Sequence, residues 1–177
     1  MSANFSDEDY RERVKQNYDF PAWVGRTKEG GSTVRVTGFD LTTKAENRFA
    51  VEQKEDLPPS SRQQRVTRYV STSAQHQGQR FITTIFECKS VTEAHETLID
   101  VVMTYMAPKL PTCETRGLPI GDICFAGHGE VNLLVIFARF NILVEVKSAT
   151  PGPTSVDEFA RTIDALILDQ FRTQAPG

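Results

Sequence analysis

The stretch VNLLVIFARFNILVEV, residues 131–146, is the longest nearly uncharged apolar run in the chain. Fully extended, it would reach roughly 53 Å at ~3.3 Å per residue, whereas strands in globular proteins run about 3–10 residues. Asn132, Arg139, Asn141 and Glu145 interrupt it, which argues against a membrane helix. The run must therefore fold back on itself. Arg139-Phe140-Asn141 is the place for the turn, because Asn tolerates the left-handed backbone of a tight reversal. A central β-hairpin, 131–138 against 142–147, is predicted, with the rest of the chain packed around it.

The 177 residues are 39% hydrophobic and 24% charged, the balance of an ordinary folded domain. A formal charge of −3 gives no general attraction for nucleic acid or anionic membrane. The first sixteen residues are polar and acidic, where a secretion signal needs basic residues and then an apolar core. Cys88, Cys113 and Cys124 are odd in number and widely spaced, neither a disulfide framework nor a zinc pattern. The expectation is a cytoplasmic protein with reduced, buried thiols and no cofactor or metal.

Residues 6–18 read as a short exposed helix, with Asp7, Glu8 and Asp9 at the positive end of its dipole. Residues 1–31 form this helix and an arm in which Trp23 pins the segment to the core or reaches a partner. A single α+β domain then spans 32–177. Strands are predicted at 33–41, 47–53, 65–74 and 80–88, the last two as a hairpin. Residues 54–64, with Pro58-Pro59, read as a surface loop, because paired prolines do not continue a strand. A short strand at 123–126 precedes the central hairpin.

Two amphipathic helices follow, from Ser90 to about 106 and from Ser155 to about 171. Both open with S-x-x-E (Ser90 and Glu93; Ser155 and Glu158), the pattern of a capping box. The order suggests two copies of a β–β–α unit. The fold class is α+β: a largely antiparallel, curved sheet of about six to seven strands, with both helices on one face and a short amino-terminal helix.

Motifs of high specificity for catalysis are absent from the sequence. The nearest to a site is Gly127-His128-Gly129-Glu130, with Asp122 and Cys124 just upstream. A Cys124–His128–Asp122 nucleophilic set meets two objections: His128 lies across a turn, and Cys124 sits in an apolar context that suppresses its reactivity. His76 falls in a polar turn and His95 on the solvent-leaning side of its helix. Arg139 either projects from the hairpin tip into solvent, the expected placement, or pairs with a buried carboxylate. Asp122, His128 and Arg139 are thus the candidate ligand-binding residues. Trp23, Arg65, Arg68, Tyr69 and Arg80 are the candidate partner-binding residues.

Gly121-Asp122 with Phe125, Phe137-x-Arg139-x-Asn141, the strand Leu143-Val-Glu-Val146 and a terminal amphipathic helix give the last hundred or so residues a recognisable outline. In outline it is similar to the PsbP/Mog1-like fold of small bacterial α+β domains, a fold that by itself implies no function. The leading expectation is a non-enzymatic binding protein of the bacterial cytoplasm, immunity- or chaperone-like. It would hold a protein or peptide partner on an open sheet face or in a groove between sheet and loop. Alternatives are a small-molecule binder or enzyme with a pocket at residues 122–130, and a structural homodimer.

Overall fold

The computed structural model describes residues 7–23, 26, 35–44, 48–73, 78–105 and 109–174. The apolar run folds back where expected: β5 (Leu134–Arg139) and β6 (Ile142–Ser148) are antiparallel strands joined at Phe140 and Asn141. The left-handed residue, however, is Phe140 (φ 55) and not Asn141. That conformation costs an ordinary residue about 1–2 kcal/mol. Two contacts offset it. The Phe140 ring is buried against Phe171, centroids 4.6 Å apart. The Asn141 amide accepts from Val36 N at 2.6 Å and donates to Val36 O and Cys88 O at 2.9 and 3.0 Å.

The remaining elements are α1 (Asp7–Asn17), α2 (Phe20–Trp23), α3 (Leu41–Lys44), β1 (Phe49–Leu57), β2 (Gln63–Ser73), β3 (Arg80–Cys88), α4 (Val91–Thr104), β4 (Ile123–Ala126) and α5 (Asp157–Gln174). The six strands form one open sheet in the order β1-β2-β3-β6-β5-β4, antiparallel throughout. The class is α+β.

Both faces are covered at the centre of this sheet, while β2 keeps Arg68, Val70 and Thr72 exposed or half-exposed on one side, so part of the expected open face remains. Val135, Phe137, Val144 and Val146 point to one side and pack against Phe159, Ile163 and Ile167 of α5. Ile136, Ala138 and Leu143 point to the other and pack against Leu98, Ile99 and Val102 of α4, with Tyr18 and Trp23. The two long helices therefore lie on opposite faces, where the sequence reading put them on one. Strands buried on both sides lose alternation and read as continuous apolar runs, and the central hairpin has just that character.

The same geometry gives the suggested duplication no support. Each helix follows three strands, β1-β2-β3-α4 and β4-β5-β6-α5, and β3 meets β6 antiparallel. Only a two-fold axis normal to the sheet relates such neighbours, and it would leave both helices on the same face. The helix starts differ too. Ser90 caps α4 by accepting from Glu93 N at 3.1 Å. Ser155 instead accepts from Asp157 N at 3.2 Å, a residue earlier than a capping box requires.

Two other expectations are corrected. Residues 35–40 are irregular rather than a strand, and Leu41 opens α3. Val36 and Phe39 are both buried, three apart, a spacing that strand alternation does not give. The strand β1 also runs on to Leu57 through part of the predicted 54–64 loop, so only 58–62 form the turn. An edge strand can keep its charges in solvent. Lys54 pairs with Asp40, Glu55 lies opposite Arg68, and Asp56 accepts from Thr67 Oγ1 at 2.9 Å. His76 and the first two residues of the predicted 33–41 strand lie outside the described residues.

Helix α1 is fastened to α4 by charge more than by its thin apolar stripe. Buried Arg11 reaches Glu96 and Asp100, and Lys15 reaches Glu96 at 3.3 Å. Trp23 is 2% exposed and packs on Phe125, centroids 5.0 Å apart, so the arm is tethered to the core. His95, expected near solvent, is 3% exposed. Burial pushes its pKa down to about 4 from 6.5, so the fold favours the neutral ring.

The unfolded chain binds a proton at His95 first. The stability this neutral ring contributes is therefore complete above pH 6.5 and is lost as pH falls towards 4. Over that window the loss should reach about 3 kcal/mol, and His95→Leu should flatten the slope in urea titrations at several pH values. A second expectation tests the strand placement. Ile136 is fully buried and Leu134 half-buried, so Ile136→Asp should cost ~3 kcal/mol or more and Leu134→Asp less. Equal denaturant midpoints for the two variants, at equal slopes, would contradict this.

Candidate functional site

Arg139 does not project from the hairpin tip. It is 12% exposed and forms a bidentate pair with Asp164 of α5, Nε and Nη2 each donating at 2.8 Å. Its Nη1 donates to Asp122 Oδ1 at 3.1 Å, and Phe140 N donates to Asp122 Oδ2 at 2.9 Å. Gly121 makes this approach possible. Its φ is +66, and a Cβ there would meet Ala138 O at 2.8 Å and Phe137 Cβ at 3.1 Å. No other residue fits the position without moving backbone. Asp122 N then reaches Ala138 O at 2.7 Å.

Burial, and beyond it the neighbouring Asp164 charge, hold the Asp122 carboxyl above its usual range, although Phe140 N–H and Arg139 oppose the rise. Burial works against the Arg139 charge, but Asp164 and then Asp122 more than compensate, and its pKa is raised. Three of the five N–H groups of Arg139 are thus occupied by the two carboxylates. The cavity beside Asp122 and Arg139 holds about 160 Å³, below the ~300–1,000 Å³ of ligand sites. This trio is a structural clamp.

His128 does not join it. Asp122 precedes β4 and His128 lies beyond its other end, exposed in the loop that leads to β5. Cys124 is not a free thiol either. It forms a disulfide with Cys113, Cα–Cα 5.2 Å, which corrects the expectation of three reduced cysteines. The pairing arises because residues 111–113 lie along the outer edge of β4: Cys113 N donates to Cys124 O and Ala126 N to Pro111 O, each at 3.0 Å. That juxtaposition is tertiary and left no mark in the cysteine spacing. Cys88 remains a buried thiol, pushed up to about 12 by desolvation.

The candidate partner residues do not share a surface. Trp23 and Tyr69 are buried. Arg65 faces the α5 side and bonds Phe39 O and Glu87. Arg68 points to the opposite, α4 side and lies near Glu55 at 3.8 Å. Arg80 bonds Glu52 at 3.0 Å.

A different region has the shape of a site. Between the sheet and the head of α5 lies a recess of about 590 Å³. Its floor is three rings: Phe49 at the start of β1, Phe81 at the start of β3 and Phe159 in the first turn of α5. Phe81 and Phe159 stack at 4.6 Å and 12°, and Phe49 meets Phe159 edge-on at 4.9 Å. One wall is the loop 153–155. The rim carries Arg48, Gln79, Glu158 and Arg161. Arg161 donates to Gly117 O at 3.1 Å, and Asp157 is engaged by Asn132 Nδ2 at 2.9 Å. Arg48 has no ion-pair partner among the described residues. Sequence reasoning missed this recess because its parts come from four separate stretches, none with a motif.

Among the described residues, no group of three or more His, Cys, Asp or Glu side chains could hold a metal ion, and no helix is long and apolar enough to cross a membrane. Removing the Arg139 charge should leave two close carboxylates without compensation. Arg139→Met is expected to destabilise by about 3–5 kcal/mol. Because proton uptake relieves the repulsion, the variant should lose stability as pH rises through the carboxylate range and recover part of it with Asp122→Asn. Denaturation at pH 4 and pH 8 measures both. Compared with known proteins, the chain matches no family model, no curated protein and no solved structure.

Proposed function

We propose that the chain is a non-enzymatic binding protein that holds a peptide segment of a protein partner in the recess at the head of α5. One observation carries the reading: a cavity of ligand-site size, about 590 Å³, with an aromatic floor and a polar rim. Clefts of this make-up suit a side-chain anchor from a partner, with aromatic contact at the centre and polar contact around it. The recess also lies at the start of β1, whose outer edge pairs with no strand among the described residues. Backbone groups there are free to meet an extended segment.

Self-association through the same edge is less well supported. Glu52, Glu55 and Asp56 outnumber Lys54 along it, so two copies would bring like charges together. A cytoplasmic location remains part of the proposal. The Cys113–Cys124 disulfide weighs against it, because stable disulfides are rare in reducing compartments.

Two measurements follow. Peptides selected from a random-sequence library against the intact chain should perturb the amides of Phe49, Phe81 and Phe159. Arg48→Glu should weaken them on the order of tenfold, about 1.4 kcal/mol, while His128→Ala leaves them unchanged. Selected peptides that map elsewhere would contradict the reading. Thiol alkylation in denaturant at the moment of cell lysis should label all three cysteines if the protein is cytoplasmic; labelling of Cys88 alone places it in an oxidising compartment.

A further inference from the structure

Asp157 and Arg161, which line the recess, are both held by one loop. Arg161 donates to Gly117 O at 3.1 Å. Asp157 accepts from Asn132 Nδ2 at 2.9 Å, and Asn132 Oδ1 in turn accepts from Arg116 Nε at 3.0 Å. Arg116 and Gly117 are neighbours in the loop that the Cys113–Cys124 disulfide closes. Cys113 anchors that loop from within: its carbonyl accepts from Arg116 N at 3.0 Å and from Leu118 N at 2.8 Å. A displacement of Cys113 is therefore passed to Arg116 and Gly117, and from them to Asp157 and Arg161.

The bridge can open without the loop leaving the fold. Leu110, Leu118 and Ile120 are buried, and residues 111–113 keep their hydrogen bonds to β4. The two thiols thus stay neighbours and can reclose. Opening nevertheless moves Cys113. Two S–H groups take more room than one disulfide, and Cys113 and Cys124 are only 1% and 8% exposed in the α5-side core, where packing leaves little slack. Cys124 is fixed in a strand paired with β5, so Cys113, outside the sheet strands, is the one to yield. Resting on the reading that the recess holds a peptide, we propose that the Cys113–Cys124 pair is a redox switch that sets the affinity of the recess. The reductant is a dithiol. One of its thiolates attacks Cys124 Sγ, because Cys124 is the more exposed partner and lines the small cavity beside Asp122. The S–S bond breaks, and Cys113 leaves as a thiolate that takes up a proton. The reagent's second thiol then displaces Cys124, so two electrons and two protons reach the protein and the reagent becomes a disulfide. The oxidised form, with Asp157 and Arg161 held in place, is preorganised and binds more tightly. Disulfides that form in a reducing cytoplasm are mostly transient pairs of this kind.

The test uses the full chain, oxidised and then reduced with dithiothreitol, read first by amide NMR without peptide. Reduction should leave the chain folded and shift the amides of Arg116, Gly117, Asn132, Asp157 and Arg161. In Arg116→Ala, Asp157 should cease to respond while Arg161 still does. Peptides selected from a random-sequence library against the oxidised chain should bind the reduced chain at least about fivefold more weakly. Reoxidation with oxidised glutathione should restore their affinity. Shifts confined to the residues around Cys113 and Cys124 overturn the coupling. Unfolding on reduction shows a structural staple and overturns the switch. Equal affinity of the two forms for peptides seated in the recess overturns the switch while leaving the recess reading intact. Peptides that bind only elsewhere overturn both.

Discussion

The guanidinium of Arg139 is the charge on which the layered arrangement depends. It sits at the turn of the central hairpin, grips Asp164 on α5 with two hydrogen bonds, and holds Asp122 at the entrance to β4. Sheet edge, sheet centre and helix layer are thereby registered at one point. The arrangement is one cation between two carboxylates in a place with little water. Such a cluster adds less net stability than it would lose on breaking, because each charge has already been desolvated. Its value lies in permitting one packing of α5 over the hairpin. The adjacent Asn141 does the same without charge, joining the turn to Val36 and to the end of β3.

From this centre outward, protection is unequal. The strands β3, β6 and β5 carry α5 on one face and α4 on the other. At one margin, β4 is covered by residues 111–113 and fastened by the Cys113–Cys124 disulfide, a usual way to blunt a strand edge. At the other margin, β1 pairs with no strand on its outer side among the described residues and carries mostly exposed, charged side chains. The aromatic recess opens at the head of this less protected margin.

Much of the architecture was legible in local pattern. The hairpin followed from length arithmetic, the β2–β3 pair from two flanked strand patterns, and α4 from the Ser90 cap. What failed was non-local. Alternation cannot say how many faces of a strand are buried when neither face is polar, so the helices were placed on one side. The edge strand β1 was cut short because its charges resemble those of a loop. The Val36–Leu41 segment carries enough apolar residues for a strand but buries them three apart. Of the candidate ligand residues Asp122, His128 and Arg139, the structure brings Asp122 and Arg139 together, and their partner Asp164, one helix away, turns the pair into a clamp. The recess left no trace, since Arg48, Phe81 and Phe159 meet only in three dimensions.

Amide hydrogen exchange resolved by residue is the most direct test of this unequal protection. The account predicts that amides of β3, β5 and β6 exchange only through global unfolding, while the outward amides of β1 exchange far faster. Protection of β1 equal to that of β6, or ready exchange within the central hairpin, would contradict it.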